Sequence, residues 1–401
     1  MNMTFSRNEK HVLQLTAVGH FGAHFAMLLF PTVAVVMAAE EGLALETVLG
    51  WSFAGFMLFG AGGLPVGYLA DRLRAVWVVR VGVIGLGLAV MAVSRADPGP
   101  ALALSLALVG VFASLYHPAG LGLISRTVAA RGEALGINGM FGNVGIAGAP
   151  LAAQLACSAW GWRGAYLVLG AGLLVMGLLV AMRSINEAAP GSLTADDQHE
   201  SGERRRLFLI LLVAMTFGGL AYRANTVAQP AYFDARVGQM GHGVATSLVY
   251  GLGILGQWAG GRLADRYDLR ILYLCFQALA LPFVLLMSVL AGLPLLVAAA
   301  GYVFFAIGMQ PIENSLVARF TPDRWRCTGY GLKFSVVFGI GALSVRGVQQ
   351  FLEHGTLSGV FVAVGGIIAL LVCVAAYLAW RTRAAPILNY AATPVAERQS
   401  G

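Results

Sequence analysis

Gly67-Tyr68-Leu69-Ala70-Asp71-Arg72-Leu73-Arg74 closes one long apolar run and precedes another. A near copy, Gly261-Arg262-Leu263-Ala264-Asp265-Arg266, stands in the same relation to its neighbours and continues through Asp268 to Arg270. Asp71 and Asp265 are 194 residues apart (265−71), close to half of the 401-residue chain. The chain therefore reads as two halves repeating one plan. A glycine lets two helices approach closely. An acid and a base at a helix end can pair with a neighbouring helix and hold one face shut. Charge set twice at equivalent places suggests a gate built from Asp71, Arg72, Asp265 and Arg266; the plainer alternative is a pair of ordinary basic turns.

Outside these turns the chain is 58% hydrophobic and only 11% charged, with a mean hydropathy of +0.76. A soluble domain is about a quarter charged, so lipid is the main solvent here. Fifty-two glycines suit close helix packing in a bilayer. Cys157, Cys275, Cys327 and Cys373 have no metal or redox spacing and read as apolar filler. Apolar runs of about 20 residues are spanning helices, because about 30 Å of hydrocarbon needs that many at 1.5 Å each. Twelve are expected: 12–38, 48–70, 76–94, 101–125, 134–157 and 162–182, then 207–233, 244–264, 271–291, 295–318, 328–351 and 357–380. The expected fold is an all-α membrane protein with two pseudo-symmetric six-helix bundles, 1–185 and 207–383. Between them 186–206 is a polar linker carrying Pro190, Gly191, Asp196, Asp197, Glu200, Glu203 and three arginines, and 384–401 is a tail. No cleavable signal is evident, since the first apolar run is long enough to span.

With the N-terminus in the cytoplasm, twenty of the 26 basic residues fall in cytoplasmic segments. The positive-inside rule selects that orientation, with both termini cytoplasmic. The net charge of +7 is explained by this distribution and calls for no nucleic acid. Two basic residues, Arg223 and Lys333, fall inside spans.

Twelve spans, a central linker and the duplicated turns resemble the major facilitator superfamily. Gly161-Trp162-Arg163, which opens the sixth span, is also similar to that family. The resemblance implies two six-helix bundles around a cavity that opens to alternate sides, lined by the first and fourth helix of each half. It implies secondary transport, often proton-coupled, in a bacterial inner membrane, and a monomer. More locally, Ser114-Leu115-Tyr116-His117-Pro118-Ala119-Gly120 and the Gly/Asn-rich stretch 138–150 resemble fosmidomycin-resistance efflux proteins. The family's antiporter motif carries a Gly-Pro pair, whereas Gly148 and Pro150 are split here by Ala149.

The fourth and tenth spans repeat each other. Pro118 and Arg126 recur as Pro311 and Arg319, each 193 residues on (311−118, 319−126). Proline frees a carbonyl and permits a bend, so Arg126 and Arg319 join the gate candidates. Ionisable groups inside spans cost about 2.5–3.5 kcal/mol each on insertion scales, so they face a cavity and a partner. Glu313 and Lys333 should lie at similar depth on consecutive helices and are expected to pair or to exchange partners, with Glu313 the leading proton carrier. Arg223, beside Tyr222 and Asn225, can hold a carboxylate or phosphonate, or else serve an outer gate or snorkel to the interface. His20 and His24 share one helical face and His117 follows Tyr116. His24 and His117 are proton-coupling candidates; the three imidazoles also suit an organic solute, a transition metal with Met27 as a soft addition, or a purely structural role. Asn138, the counterpart of Lys333 at 195 residues (333−138), joins Asn143, Gln310 and Asn314 as a solute-binding candidate. Gly136, Gly139, Gly142, Gly145 and Gly148 form a strip on the fifth helix expected to pack or slide, and no strand or Lys-Ser/Thr makes it a phosphate loop.

The residues favour a proton-coupled secondary transporter of a small organic solute, with efflux implied by the narrower resemblance. Uptake of an organic anion through Arg223 and Lys333 is the alternative; a metal-ion transporter and a non-transporting receptor are further readings. No nucleophile–base–orienter set or cofactor loop supports an enzyme, and no cofactor is expected.

Overall fold

The structure, a computed structural model, describes residues 5–128, 131–187, 201–238, 240–264, 266–320, 326–354 and 356–382. The first crossing is α1 (Arg7–Glu41), started by a capping box. There Ser6 Oγ accepts from the Glu9 amide at 3.3 Å and the Glu9 carboxylate accepts from the Ser6 amide at 2.8 Å. The second crossing is broken into α2 (Leu45–Gly50), α3 (Phe53–Ala61) and α4 (Gly63–Arg72), and the third is α5 (Ala75–Val93). The fourth is α6 (Pro100–Ser114) followed by α7 (Tyr116–Thr127). α8 (Arg131–Ala181) has 51 residues, about 77 Å at 1.5 Å each, too long for one crossing. Gly161, at φ 64° and ψ 175°, divides it into the fifth and sixth crossings. A side chain is strained at that φ, so glycine is what permits the junction.

The second half follows with α9 (Ser201–Arg236), α10 (His242–Ala264), α11 (Leu269–Met287), α12 (Gly292–Gly308), α13 (Gln310–Phe320), α14 (Arg326–Phe334), α15 (Leu343–Glu353) and α16 (Leu357–Arg381). Between α14 and α15 the chain winds through a π-turn at Ser335–Gly339 and a 3₁₀ turn at Ile340–Ala342. Among the described residues, ten stretches are long and apolar enough to cross a membrane. The 48-residue stretch Ala134–Ala181 among them supplies two crossings, and the 23-residue α10 adds another. The fold is thus the expected all-helical, twelve-crossing one, and the chain is a multi-pass membrane protein. Leu104 and Leu293 are 73% and 71% exposed, as befits an exterior solvated by lipid.

The repeat seen in sequence reappears as geometry. The fourth crossing breaks at Leu115 and the tenth at Met309, 194 residues apart (309−115). Each break lies within one turn before Pro118 or Pro311, which has no N–H to bond the preceding turn. Two parts of the expected linker belong to the helical structure: 201–206 are the first turns of α9. Glu187, also assigned there, is 2% exposed and caps α5, accepting from the amides of Ala75 (3.0 Å) and Val76 (2.9 Å). Residues 188–200 and 383–401, with most of the linker and the tail, lie outside the described residues.

The two halves meet along two seams. On one, Gln349 Nε2 donates to the Glu46 carbonyl at 3.0 Å, the Leu64 amide donates to Ser335 Oγ at 2.9 Å, and Thr328 reaches Asp71 at 3.4 Å. Midway, a Cβ placed on Gly60 would stand 1.8 Å from the Gly339 amide nitrogen. Only glycine allows that approach. On the other seam Gln154 accepts from the Gly243 amide at 2.5 Å and Ser247 accepts from the Leu151 amide at 2.8 Å. The glycine strip of the fifth crossing is only partly a packing surface. Gly142 presses on the His20 ring and Gly145 on the Phe21 backbone, whereas Gly136 and Gly148 have nothing within 4 Å of a Cβ.

Candidate functional site

Four crossings, two of them broken, bring side chains to the middle of the molecule. α1 brings His20 and His24, the break at Leu115 sets Tyr116 and His117, α8 brings Asn138, and the π-turn after α14 sets Phe338. The candidate ligand nitrogens of His20, His24 and His117 all lie within 4.8 Å of one another. His24 Nε2 and His117 Nε2 are 3.3 Å apart, so one carries the hydrogen and the other accepts it. His20 Nδ1 donates to the Asn138 carbonyl at 2.8 Å, which leaves its Nε2 as an acceptor. The Tyr116 hydroxyl donates to Asn138 Oδ1 at 2.9 Å and accepts from Nδ2 at 2.6 Å. Its ring is clasped by glycines on both sides, because a Cβ on Gly19 or Gly120 would approach it to 2.4 Å. Five of the sequence candidates therefore form two hydrogen-bonded sets, His20–Asn138–Tyr116 and His24–His117, packed together by ring contacts of 5.0–5.3 Å. The imidazole spacing suits a transition-metal ligand set, and the His20 bond to a carbonyl is the usual orienting contact of such a ligand.

Aromatic rings cover this cluster. Phe334 lies 4.5 Å from His117, Phe59 5.5 Å and Phe338 5.6 Å, centroid to centroid. None was singled out from sequence. The signal was present in their spacing: Phe56 and Phe59 are three apart, and Phe334 and Phe338 four apart, each pair on one helical face.

Three charged side chains flank the cluster, the Glu313–Lys333 pair and Arg223. Glu313 and Lys333 pair at 2.8 Å with side chains 4% and 5% exposed. Tyr273 donates to Glu313 at 3.1 Å, and Lys333 also donates to Asn314 Oδ1. Tyr273, on α11, is a partner the sequence did not reveal. Arg223 is 1% exposed and lies over the Phe56 ring, 3.7 Å from its centroid. Its Nε and Nη1 make no hydrogen bond, and no carboxylate among the described residues is within ion-pair distance. It is fully buried and has no acidic partner among the described residues.

The remaining candidates are dispersed. Tyr222 is half-buried, 6.3 Å from Phe338. Asn225 donates to Gln229 at 2.8 Å, and Gln310 accepts from Gln257 at 2.7 Å. Asn143 is 3% exposed with no partner for Nδ2 among the described residues. At one end Arg126 stands 4.0 Å from Asp71 and donates to the Ala70 carbonyl at 2.9 Å. Arg72 lies over Tyr68 at 4.3 Å. Arg266 and Arg319 are exposed, and Asp265 lies outside the described residues.

Comparison with known proteins places this geometry. The family model described as "Major Facilitator Superfamily" matches residues 16–345. No curated protein matches. Among solved structures, a bacterial homologue of the human lysosomal transporter Spinster, inward-facing and unoccupied, has a TM-score of 0.69 at 16% identity, covering 94% of this chain and 98% of its own. A POT family transporter in complex with 5-aminolevulinic acid has a TM-score of 0.75 at 11% identity over 93% and 96%. The E. coli fucose:proton symporter has 0.63 at 15% identity over 92% and 98%. These likenesses show a shared fold. With the family match running through both halves and the twelve crossings repeating about a central polar site, the chain belongs to the Major Facilitator Superfamily, a family of transporters.

Proposed function

We propose that this protein is a secondary active transporter that moves a small organic solute by alternating access and couples the movement to protons through Glu313. The observation that carries this reading is the buried Glu313–Lys333 pair, 2.8 Å long and bridging two consecutive crossings. A charge pair inside the bilayer region is expensive to place and opposes an apolar core that would hold as well. It is suited to change. A proton on Glu313 cancels its charge and releases Lys333 to Asn314, which it already touches. α13 and α14 then lose the tie between them. The break at Met309 and the π-turn at Ser335–Gly339 lie close to those ends, so both helices have a place to bend. His24 and His117 are the second candidates for proton transfer, since their shared hydrogen already joins α1 to α7.

In this reading the Asp71 end faces the cytoplasm, with both termini there, and the Asp71–Arg126 and Asp71–Thr328 contacts hold that end closed. Outward movement of the solute is favoured by the local resemblance around Tyr116-His117-Pro118. The test is proton movement in proteoliposomes holding a trapped pH-sensitive dye, challenged in turn with organic acids, neutral solutes, cationic drugs and divalent metals. A dye response to one class that disappears in Glu313→Gln is expected. An undiminished response in Glu313→Gln would refute the coupling role.

A further inference from the structure

We propose that the interior holds an anion site centred on Arg223, and that the transported solute is a small organic acid carried as its anion, with an apolar body. The inference rests on the transporter reading and names its substrate class. Arginine cannot shed its proton at any working pH, so burial leaves Arg223 charged. The other charged groups buried near the middle, Glu313 and Lys333, pair with each other. The positive charge of Arg223 is left uncompensated among the described residues, with Nε and Nη1 open as donors. The Phe56 face offsets part of its desolvation but satisfies neither donor. An anion arriving from solution supplies both the charge and the acceptors.

The surroundings define the rest of the ligand. Phe56, under Arg223, and Phe59, against His24 and His117, are one turn apart on α3. The guanidinium and the imidazoles are therefore joined by an aromatic wall, which Phe338 extends toward Tyr222. Tyr250, 3% exposed, has a hydroxyl with no partner among the described residues and is a further donor on this side. A cationic solute or metal would meet Arg223 with no carboxylate beside it. A carboxylate or sulfonate on an aromatic or aliphatic body fits charge, donors and wall together.

Thermal unfolding of the purified full-length protein in detergent tests this. The probes are benzoate, cyclohexanecarboxylate and benzenesulfonate, against benzamide and benzylamine as neutral and cationic shapes. The anions should raise the unfolding temperature and the other two should not. Arg223→Gln should weaken the apparent affinity about 10- to 100-fold, as loss of charge-assisted hydrogen bonds does, with Arg223→Lys between the two. Without probe, Arg223→Gln should unfold at the same temperature or higher, because it removes an unpaired buried charge. Equal shifts with benzamide, no shift with any anion, shifts that survive Arg223→Gln, or a marked loss of stability in Arg223→Gln alone would each overturn the proposal. The transporter reading fails separately. Glu313-dependent proton flux driven only by neutral or cationic solutes would leave transport standing and remove the anion site, while Arg223-dependent anion binding without any proton flux would do the reverse.

Discussion

Gly60→Ala tests the seam between the halves more directly than any charge change. The added Cβ would lie 1.8 Å from the Gly339 nitrogen and 2.4 Å from its Cα. Ordinary contact begins near 3.4 Å, so the backbones must part by 1.6 Å (3.4−1.8). The obstructing atoms are main chain, so no rotamer change relieves the clash. Overpacking of this kind costs about 1–3 kcal/mol, which shifts the equilibrium about 5- to 150-fold away from the state with this seam closed. Gly148→Ala is the control, because nothing lies within 4 Å of its Cβ. In a background free of native cysteines, alkylation of Ser335→Cys reports the seam, since Ser335 accepts from the Leu64 amide across it. Gly60→Ala should accelerate that alkylation by about the same 5- to 150-fold and lower the unfolding temperature, while Gly148→Ala does neither. Identical behaviour of the two variants would show that the halves do not need this approach, and the account of the seam would fall.

Glu313→Leu leaves Lys333 buried without its acid and should destabilise the protein by about 3–5 kcal/mol, whereas adding Lys333→Met should recover most of it, read from denaturant unfolding. Asp71→Asn removes a half-exposed 4.0 Å pair worth about 0.2–1 kcal/mol, so cysteine labelling at the Asp71 end should rise only a few-fold; no rise would count against its latch role. Gly142→Ala drives a Cβ to 2.5 Å from the His20 ring and should disturb the imidazole cluster, whose nitrogen chemical shifts in labelled protein should move, unlike those of Gly136→Ala. Asp268 caps α11, and the Arg270 guanidinium bonded to it holds its carboxyl below the usual value. A depressed folded value means that its stabilisation is present above the unfolded pKa of about 3.9 and is lost as pH falls through the folded one. Asp268→Asn should therefore lower stability modestly at neutral pH and match the unsubstituted protein once pH falls through the folded value, which flattens the acid limb of the stability profile.

The crossings and their repetition were legible because hydropathy and proline act locally. A run of about 20 apolar residues has one economical place to go, and Pro118 and Pro311 disrupt helix wherever they stand. Pairing at matched depth was legible too: Glu313 and Lys333 are expected at similar depth on consecutive helices, and the structure brings them to 2.8 Å. Rotation about each helix axis was not legible. Depth alone could not show that Tyr273 would face Glu313 or that Phe56 would lie beneath Arg223, because those contacts depend on how neighbouring crossings turn toward each other. Equal spacing misled in the fifth crossing, where every third residue is glycine yet only Gly142 and Gly145 meet α1. Three-residue steps fall short of the 3.6-residue turn, so the strip winds around the helix and leaves its own interface. Composition misled at Glu187, which lies among polar linker residues but finds two amides at the start of α5. A carboxylate there answers the unsatisfied N–H groups of a helix start, a demand set by α5 and invisible in the linker itself. Local chemistry thus determined where each helix runs and bends, while the partners of its polar groups emerged only from packing. For that reason the lack of an acidic partner for Arg223 among the described residues, and not its mere presence in a span, supports the proposed anion site.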